Sequence, residues 1–272
     1  MFVKAMYNTL ASQYDMADCF GAISQSHKCA LDQITRANIG YKPHYKILDL
    51  GVGDGAFLRK LKQKMPDADY TGIDVSREML KRAGEALPFT SIEASAAEAT
   101  NYLPQHSQDL VLAHFINAYL PTNVLFSQAQ MLARSNGYFS VITTTYESFP
   151  QAQQYLADFI AKGSILSNIV GHYYKAVVKN TPVASGADDL LQAVRQHQFE
   201  VIDHHRIEIP MVLNNIDELV LFGIEGAWFL NTLSIPGLPK NFLLQRIKRL
   251  FEKMFTFPYH DTHIIDVVLA KK

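Results

Sequence analysis

The sequence has only two cysteines, Cys19 and Cys29, a single tryptophan and almost no net charge. Two thiols with no partner ligands nearby build neither a disulfide framework nor a metal site, and they fit a reducing compartment. Twenty-five Lys and Arg against 26 Asp and Glu leave a formal charge of −1. That balance gives no electrostatic footprint for a polyanion, so nucleic acid is not an expected partner. No apolar run approaches the ~18 residues of a membrane span. The opening Met1-Phe2-Val3-Lys4 turns polar too soon for a secretory signal, and a cytoplasmic location is the expectation. Low-complexity segments and internal repeats are lacking as well. What remains is 272 residues with 48% hydrophobic content, enough for a sizeable core in one domain carrying insertions.

That domain is organised around residues 47–55, Ile-Leu-Asp-Leu-Gly-Val-Gly-Asp-Gly. An apolar run feeds three glycines at alternate positions, and Phe57, Leu58, Leu61 and Met65 then show helical spacing, so a strand, a tight turn and a helix are expected. Glycines at such a turn permit unusual φ/ψ and let a ligand approach the backbone closely. Two ligand classes use this geometry. Gly51-x-Gly53-x-x-Ala56 satisfies the dinucleotide fingerprint, in which a pyrophosphate rests on the helix N-terminus. Asp49, two positions before the first glycine, instead suits a ligand carrying an ammonium group.

Residues Asp49 to Gly55 resemble the Asp-x-Gly-x-Gly-x-Gly signature of class I S-adenosylmethionine (SAM) dependent methyltransferases. The resemblance implies that the backbone of Gly51, Val52 and Gly53 lies against the methionine part of SAM. The next strand, Asp69 to Asp74, ends in an acid about 20 residues beyond the loop, where a carboxylate reaches the ribose hydroxyls. Asp74 is therefore the candidate ribose ligand, and by resemblance Val75 covers one face of the adenine. Carboxylates at 49 and 74 are expected to flank a cavity that welcomes a cationic nucleoside and repels phosphorylated ones.

Ahead of this motif, residues 1–40 read as a helical cover, with Ile23, His27, Ala30, Leu31 and Ile34 on one stripe. Tyr7 to Asp15 resembles the N-terminal segment of many small-molecule methyltransferases, which nominates Tyr14 as a cofactor cover. Downstream, Ser76 is a plausible N-cap for a helix through Leu87. A third strand, Phe89 to Ala94, leads to Ser95-Ala96-Ala97-Glu98. The family places an acid here for the adenine amino group. Ala96 holds that slot, so recognition falls to the backbone at Ala96 and Ala97, to Glu98, or to a group elsewhere.

The fourth strand, Ser107 to His114, leaves through His114 and Phe115. Ligands in an open α/β sheet sit outside the carboxyl ends of the strands, so His114, Phe115 and Asn117 should face the cleft. His114 is the candidate general base, since an unperturbed imidazole titrates near neutrality. A helix opened by Pro121 and Thr122 is expected to close at Asn136-Gly137, before a fifth strand from Tyr138 to Thr145.

Repeated strand–helix alternation argues for an α/β fold with a doubly wound parallel sheet and helices on both faces. The resemblance adds that the sheet is seven-stranded and mostly parallel, the last strand, Thr262 to Leu269, being antiparallel. The sixth strand is read from Phe199 through Ile209. Two surpluses, 146–186 and 210–260, exceed the family's minimal fold and read as lid insertions over a closed, largely apolar pocket. Tyr146, His172, Tyr173 and Trp228 are the candidate substrate-pocket residues. Residues 241–257 read as a basic amphipathic helix, a solvated lid helix or a contact for an anionic membrane surface. His204-His205 and His260-x-x-His263 are not completed by Cys or acidic clusters into a metal set, so no metal is expected.

The function implied is SAM-dependent methyl transfer to O, N or C of a small, partly hydrophobic metabolite. Two alternatives stand beside it. A methyltransferase-like binding protein without turnover is favoured by the gap at Ala96, and an NAD-dependent oxidoreductase is disfavoured by Asp49. Oligomeric state is not legible from the sequence.

Overall fold

The structure is a computed structural model that describes residues 2–11, 18–40, 42–165, 167–168, 171–172, 183–225, 228 and 240–272. Seven strands form one sheet in the order β3-β2-β1-β4-β5-β7-β6. They are β1 (Lys46–Leu50), β2 (Asp69–Asp74), β3 (Thr90–Glu93), β4 (Gln108–His114), β5 (Ala133–Thr143), β6 (Glu200–Leu213) and β7 (Tyr259–Lys271). Only β7 runs antiparallel to its neighbours, β5 and β6.

The central strands are buried on both faces, which is why β1 and β4 read as nearly unbroken apolar runs. Ile47, Leu110, Leu112 and Ile265 pack on the face covered by α2 (Ala22–Arg36) and α3 (Ala56–Lys64). Leu48, Val111, Ala113 and Val268 pack on the other, against α5 (Thr122–Leu132) and α7 (Ala187–Gln196). The chain leaves β1 toward β2 and β3, then crosses back to β4, so the strand order reverses between β1 and β4. Ligands bind α/β sheets at such a reversal.

Of the remaining helices, α1 (Phe2–Leu10) packs on α4 (Arg77–Ala86). Ser76 caps α4 as expected, accepting from the Met79 amide at 3.2 Å. A 3-10 turn, Ala96–Asn101, follows β3. α6 (Pro150–Ala161) lies on β7, and α9 (Lys240–Met254) packs on α6 and on α8 (Ile216–Val220).

Two boundaries differ from expectation. α5 stops at Leu132, and Ala133 is already extended and paired with Gln108 in β5. Asn136-Gly137 therefore belongs to a bulge in β5 rather than a helix cap. Asn136 is left-handed (φ 62°) and donates its N–H to the Lys272 carbonyl, while a Cβ on Gly137 would meet the Arg134 carbonyl at 2.9 Å. The sixth strand runs on past Pro210 to Leu213, because β6 is the outer strand and a residue without an N–H is tolerated there. The β6–β7 pair thus continues, through Ile207–Leu213 and Tyr259–Ile265, beyond the end of β5. Its inward residues Met211, Leu213 and Tyr259 join Leu219 and Phe222 in a small separate core.

Candidate active site

The turn after β1 is strained in the way its glycines permit. Gly51, Gly53 and Gly55 have φ of 84°, 53° and 74°, all left-handed. At Gly51 a side chain is also excluded by space, since a Cβ would meet Ile116 Cδ1 at 2.6 Å. Gly53 differs, for nothing lies within 4 Å of a Cβ built there. Its amide turns to the carboxylate at the end of β2, donating to Asp74 Oδ2 at 2.9 Å, while the Ser76 amide donates to Asp74 Oδ1 at 2.8 Å. Burial raises the Asp74 pKa, opposed by these backbone donors.

Gly51, Gly53 and Asp74 line a cavity of about 310 Å³, within the usual range for small-molecule sites. Val75, Ala94, Ser95 and Ala96 continue the wall on the β2–β3 side, and His114, Phe115 and Ile116 on the β4 side. Val3, Lys4 and Tyr7 of α1 close it from above, with Tyr119 and Leu120. Tyr7 and Tyr119 share a hydroxyl–hydroxyl hydrogen bond of 2.6 Å. Lys4, the sole cation among the described wall residues, is paired with Glu93.

Asp49 does not join the wall. It is buried at 3% exposure, its Oδ1 has no hydrogen-bond partner, and its pKa is pushed up to about 8 by burial, then by Asp74 and Asp54. The expectation of two anions flanking the cavity is therefore corrected. One carboxylate lines it, and the second is neutral near pH 7 because its surroundings offer one oxygen nothing.

These residues fit SAM better than a dinucleotide. An open glycine backbone, a ribose-ready acid, apolar slots at Val75 and Ala96, and an orphaned acid able to receive a cation are present, whereas a pyrophosphate finds only the already paired Lys4. Residues 47–137 match the family described as methyltransferase domain. Over those residues the chain matches a methyltransferase domain, and its fold is that of class I SAM-dependent methyltransferases.

Trans-aconitate 2-methyltransferase of Escherichia coli O7:K1 (strain IAI39 / ExPEC) is 33% identical over 112 residues, covering 41% of this chain and 42% of that protein. The chain thus spans about two-fifths of the length of this curated relative. Haemonchus contortus phosphoethanolamine N-methyltransferase 2, solved with SAM, superposes with a TM-score of 0.52 at 15% identity, over 96% of this chain and 57% of that one. Geranyl diphosphate C-methyltransferase from Streptomyces coelicolor A3(2), solved with Mg2+, geranyl-S-thiolodiphosphate and S-adenosyl-L-homocysteine, gives a TM-score of 0.51 at 10% identity, over 91% and 75%. Both are likenesses of fold.

Within the methyltransferase domain, His114 is buried, its Nε2 lies 3.0 Å from the Ser140 hydroxyl, and its Nδ1 has no partner. Burial, then the neighbouring His27, holds its pKa well below the ordinary value. The His27 ring centroid is 5.8 Å away, with Phe57 against both rings, and burial lowers the His27 pKa to about 3. Both imidazoles are neutral at physiological pH.

Other expected site residues lie off the wall. Val52 is buried in the core, Ala97 is half-buried with its amide on Ser95 Oγ, and Glu98 is exposed. Asn117 is fully buried, its Oδ1 accepting from the Thr122 hydroxyl at 3.2 Å. Tyr146 is half-buried, its amide on the Ala184 carbonyl, and His172 is exposed. Trp228 packs edge-on against Phe115 at 5.5 Å. Tyr14 and Tyr173 lie outside the described residues.

Sequence reasoning missed Val3, Lys4, Tyr7, Tyr119 and Leu120. Asn8, Lys4 and Arg82 tie α1 down. Asn8 Oδ1 accepts from the Ser76 hydroxyl at 2.6 Å, Lys4 pairs with Glu93, and Arg82 donates to the Ala11 carbonyl. Two of the histidines considered as metal ligands have other surroundings. His204 bonds Asp266 at 2.8 Å, and His263 is enclosed by aromatic rings. Among the described residues, no group of three or more His, Cys, Asp or Glu could hold a metal ion, and no helix is long and apolar enough to cross a membrane.

Proposed function

We propose that the protein transfers a methyl group from SAM to an O, N or C atom of a small, partly hydrophobic metabolite. The observation that carries this is Asp74 on the cavity wall, with one carboxylate oxygen on the Gly53 amide and the other on the Ser76 amide. That clamp fixes a carboxylate where it can accept from two adjacent hydroxyls. Val75, Ile73 and Ala96 supply apolar surface for a flat base, and Gly51 and Gly53 bring bare backbone to the cofactor's methionine part. Asp49, which is off the wall here, would receive the ammonium once bound SAM displaces its proton to solvent. When bound, SAM supplies a sulfonium methyl activated for in-line displacement, so the chain must chiefly hold a nucleophile close and dry. His114, a wall residue whose Nδ1 has no partner among the described residues, is the candidate acceptor of a proton from that nucleophile.

The acceptor of the trans-aconitate relative does not transfer readily to this chain. A tricarboxylate needs cationic partners, and the described wall offers only Lys4, already on Glu93. Two lids, 146–186 and 210–260, covering an apolar acceptor site are part of the same reading, as is a cytoplasmic location for a chain whose two cysteines are both free.

Calorimetry with SAM and with its demethylated product tests this, and absence of heat with either at high protein concentration refutes it. A second reading, a binding protein without turnover, is favoured by one observation, that Ala96 and not an acid faces the cavity after β3. Single-turnover assays with bound SAM separate the two.

A further inference from the structure

Past the cavity wall, Phe115 leads to a second aromatic group. Trp228 lies edge-on to Phe115 and sits against His263 at 4.4 Å between ring centroids. Phe149 stacks on the other side of His263 at 4.5 Å. Phe222 is 6.2 Å from both Trp228 and His263. His263 pairs with Ile209 in the part of the β6–β7 ribbon beyond β5. By strand alternation it shares a face with Ile265 and Val267, the face that also carries Leu112 and His114.

Several features distinguish this group from an ordinary lid core. His263 is 0% exposed, and among the described residues neither of its ring nitrogens has a hydrogen-bond partner. An orphaned buried polar group is destabilising, so a leucine would serve a plain core better. Desolvation alone lowers the His263 pKa to about 3, which means that the ring is neutral and that no charged neighbour contributes. Phe115 and Phe149 are both left-handed, at φ 56° and 58°. Such a conformation is strained in a bulky residue and persists only where its surroundings enforce it. Here they do. The Phe149 amide donates to the Thr262 carbonyl at 3.0 Å, and the Ile264 amide donates to Ser148 Oγ at 2.9 Å, fixing the turn to the ribbon on both sides of His263. Unsatisfied nitrogens and two strained aromatic residues converge on one spot, one ring away from the cofactor cavity.

We propose that this group is the acceptor subsite, with the flat apolar part of a neutral acceptor against Phe115, Trp228 and Phe149, and one hydroxyl or carbonyl hydrogen-bonded to His263. The proposal rests on the preceding reading of the adjacent cavity as the SAM site. A neutral imidazole donates from one nitrogen and accepts at the other, so it serves either group. An ammonium or carboxylate would find no counter-charge beside it among the described residues. His263 is thereby a specificity-determining residue, selecting neutral, unsaturated acceptors over polycarboxylates and amines.

Trp228 is the only tryptophan in the sequence, so tryptophan emission, excited selectively over tyrosine, reports on this subsite alone. The test titrates the full chain with p-cresol and with toluene, two probes that differ by one hydroxyl, in the wild type, His263→Leu and His263→Gln. Product calorimetry with S-adenosylhomocysteine runs alongside. In the wild type p-cresol should perturb Trp228 emission at about tenfold lower concentration than toluene, the ratio expected for one buried hydrogen bond. The ratio should fall to about one in His263→Leu and persist in His263→Gln, with S-adenosylhomocysteine affinity the same in all three. Equal half-saturation by the two probes in the wild type, or no response to either, overturns the subsite, as does a hydroxyl preference that survives in His263→Leu. The wild-type comparison decides even if a variant fails to fold. Loss of S-adenosylhomocysteine binding by the wild type overturns the cofactor reading instead.

Discussion

Replacing Asp49 by asparagine should make the ligand-free protein more stable and its cofactor binding weaker. In the folded chain this carboxyl is buried with an unpartnered oxygen, and its pKa is pushed up to about 8. In the unfolded chain it ionises near 4. Below pH ~4 both states hold the proton, and the shift costs nothing. Between about 4 and 8 only the unfolded state releases it, so folding stability falls by about 1.4 kcal/mol per pH unit; above ~8 the loss is complete. At pH 7 the penalty is about 4 kcal/mol. The substituted side chain does not titrate, but one amide group left unpaired gives back about 1–3 kcal/mol, for a net gain of about 1–3 kcal/mol at pH 7. Urea unfolding of both ligand-free proteins at pH 5, 6, 7 and 8 measures this, and the difference between them should grow by about 1.4 kcal/mol per unit. Calorimetry in two buffers of unlike ionisation enthalpy should show that SAM displaces a proton from the wild type and none from Asp49→Asn, with affinity reduced by about 1–3 kcal/mol. Stability curves that run parallel from pH 5 to 8, or unchanged SAM affinity in the variant, would refute the reasoning.

Asp74→Ala should weaken SAM binding by about 1–3 kcal/mol in calorimetry, and an unchanged affinity removes the ribose assignment. Gly51→Ala meets both a left-handed φ of 84° and Ile116 at 2.6 Å, so it should lower stability by about 1–3 kcal/mol in thermal unfolding with little room for relief. Because burial holds His114 and His27 neutral, the rate should show no limb from their titration between pH 5.5 and 8; a limb that disappears in His114→Gln would contradict that. NADH fluorescence titration should show no binding, since the described wall lacks a free cation for a pyrophosphate.

The strand, glycine turn and acid at Asp74 were legible because they are local. Each depends on residues within one strand–turn–strand unit, where apolar periodicity and glycine spacing carry the geometry. The seven-stranded, mostly parallel sheet with its antiparallel last strand followed from alternation together with the family resemblance. What could not be read depends on separation or depth. Val3, Lys4 and Tyr7 reach the cavity only because α1 packs across α4, an approach that no short pattern announces. His27 sat on an apolar stripe, and nothing in that stripe says its ring would meet His114, which is far along the chain. Neither the place of Asp49 behind the wall nor its protonation state was legible, since both are set by the solvent that the fold removes. Pro210 and Asn136-Gly137 misled for a shared reason. Breaker residues stop an element only where the backbone needs what they lack, and an outer strand or a bulge does not need it.

The outer position of β6 bears on how copies of this protein meet. A fourteen-residue strand with one side unpaired among the described residues is a template for another strand, the route by which sheets fuse and chains precipitate. Glu200, Asp203, Arg206, Glu208 and Pro210 occur along it, so an incoming strand would have to bury charges of both signs and meet one position with no N–H to offer. Contact between molecules through this rim is thereby discouraged, and the long ribbon can serve the site without inviting fibres.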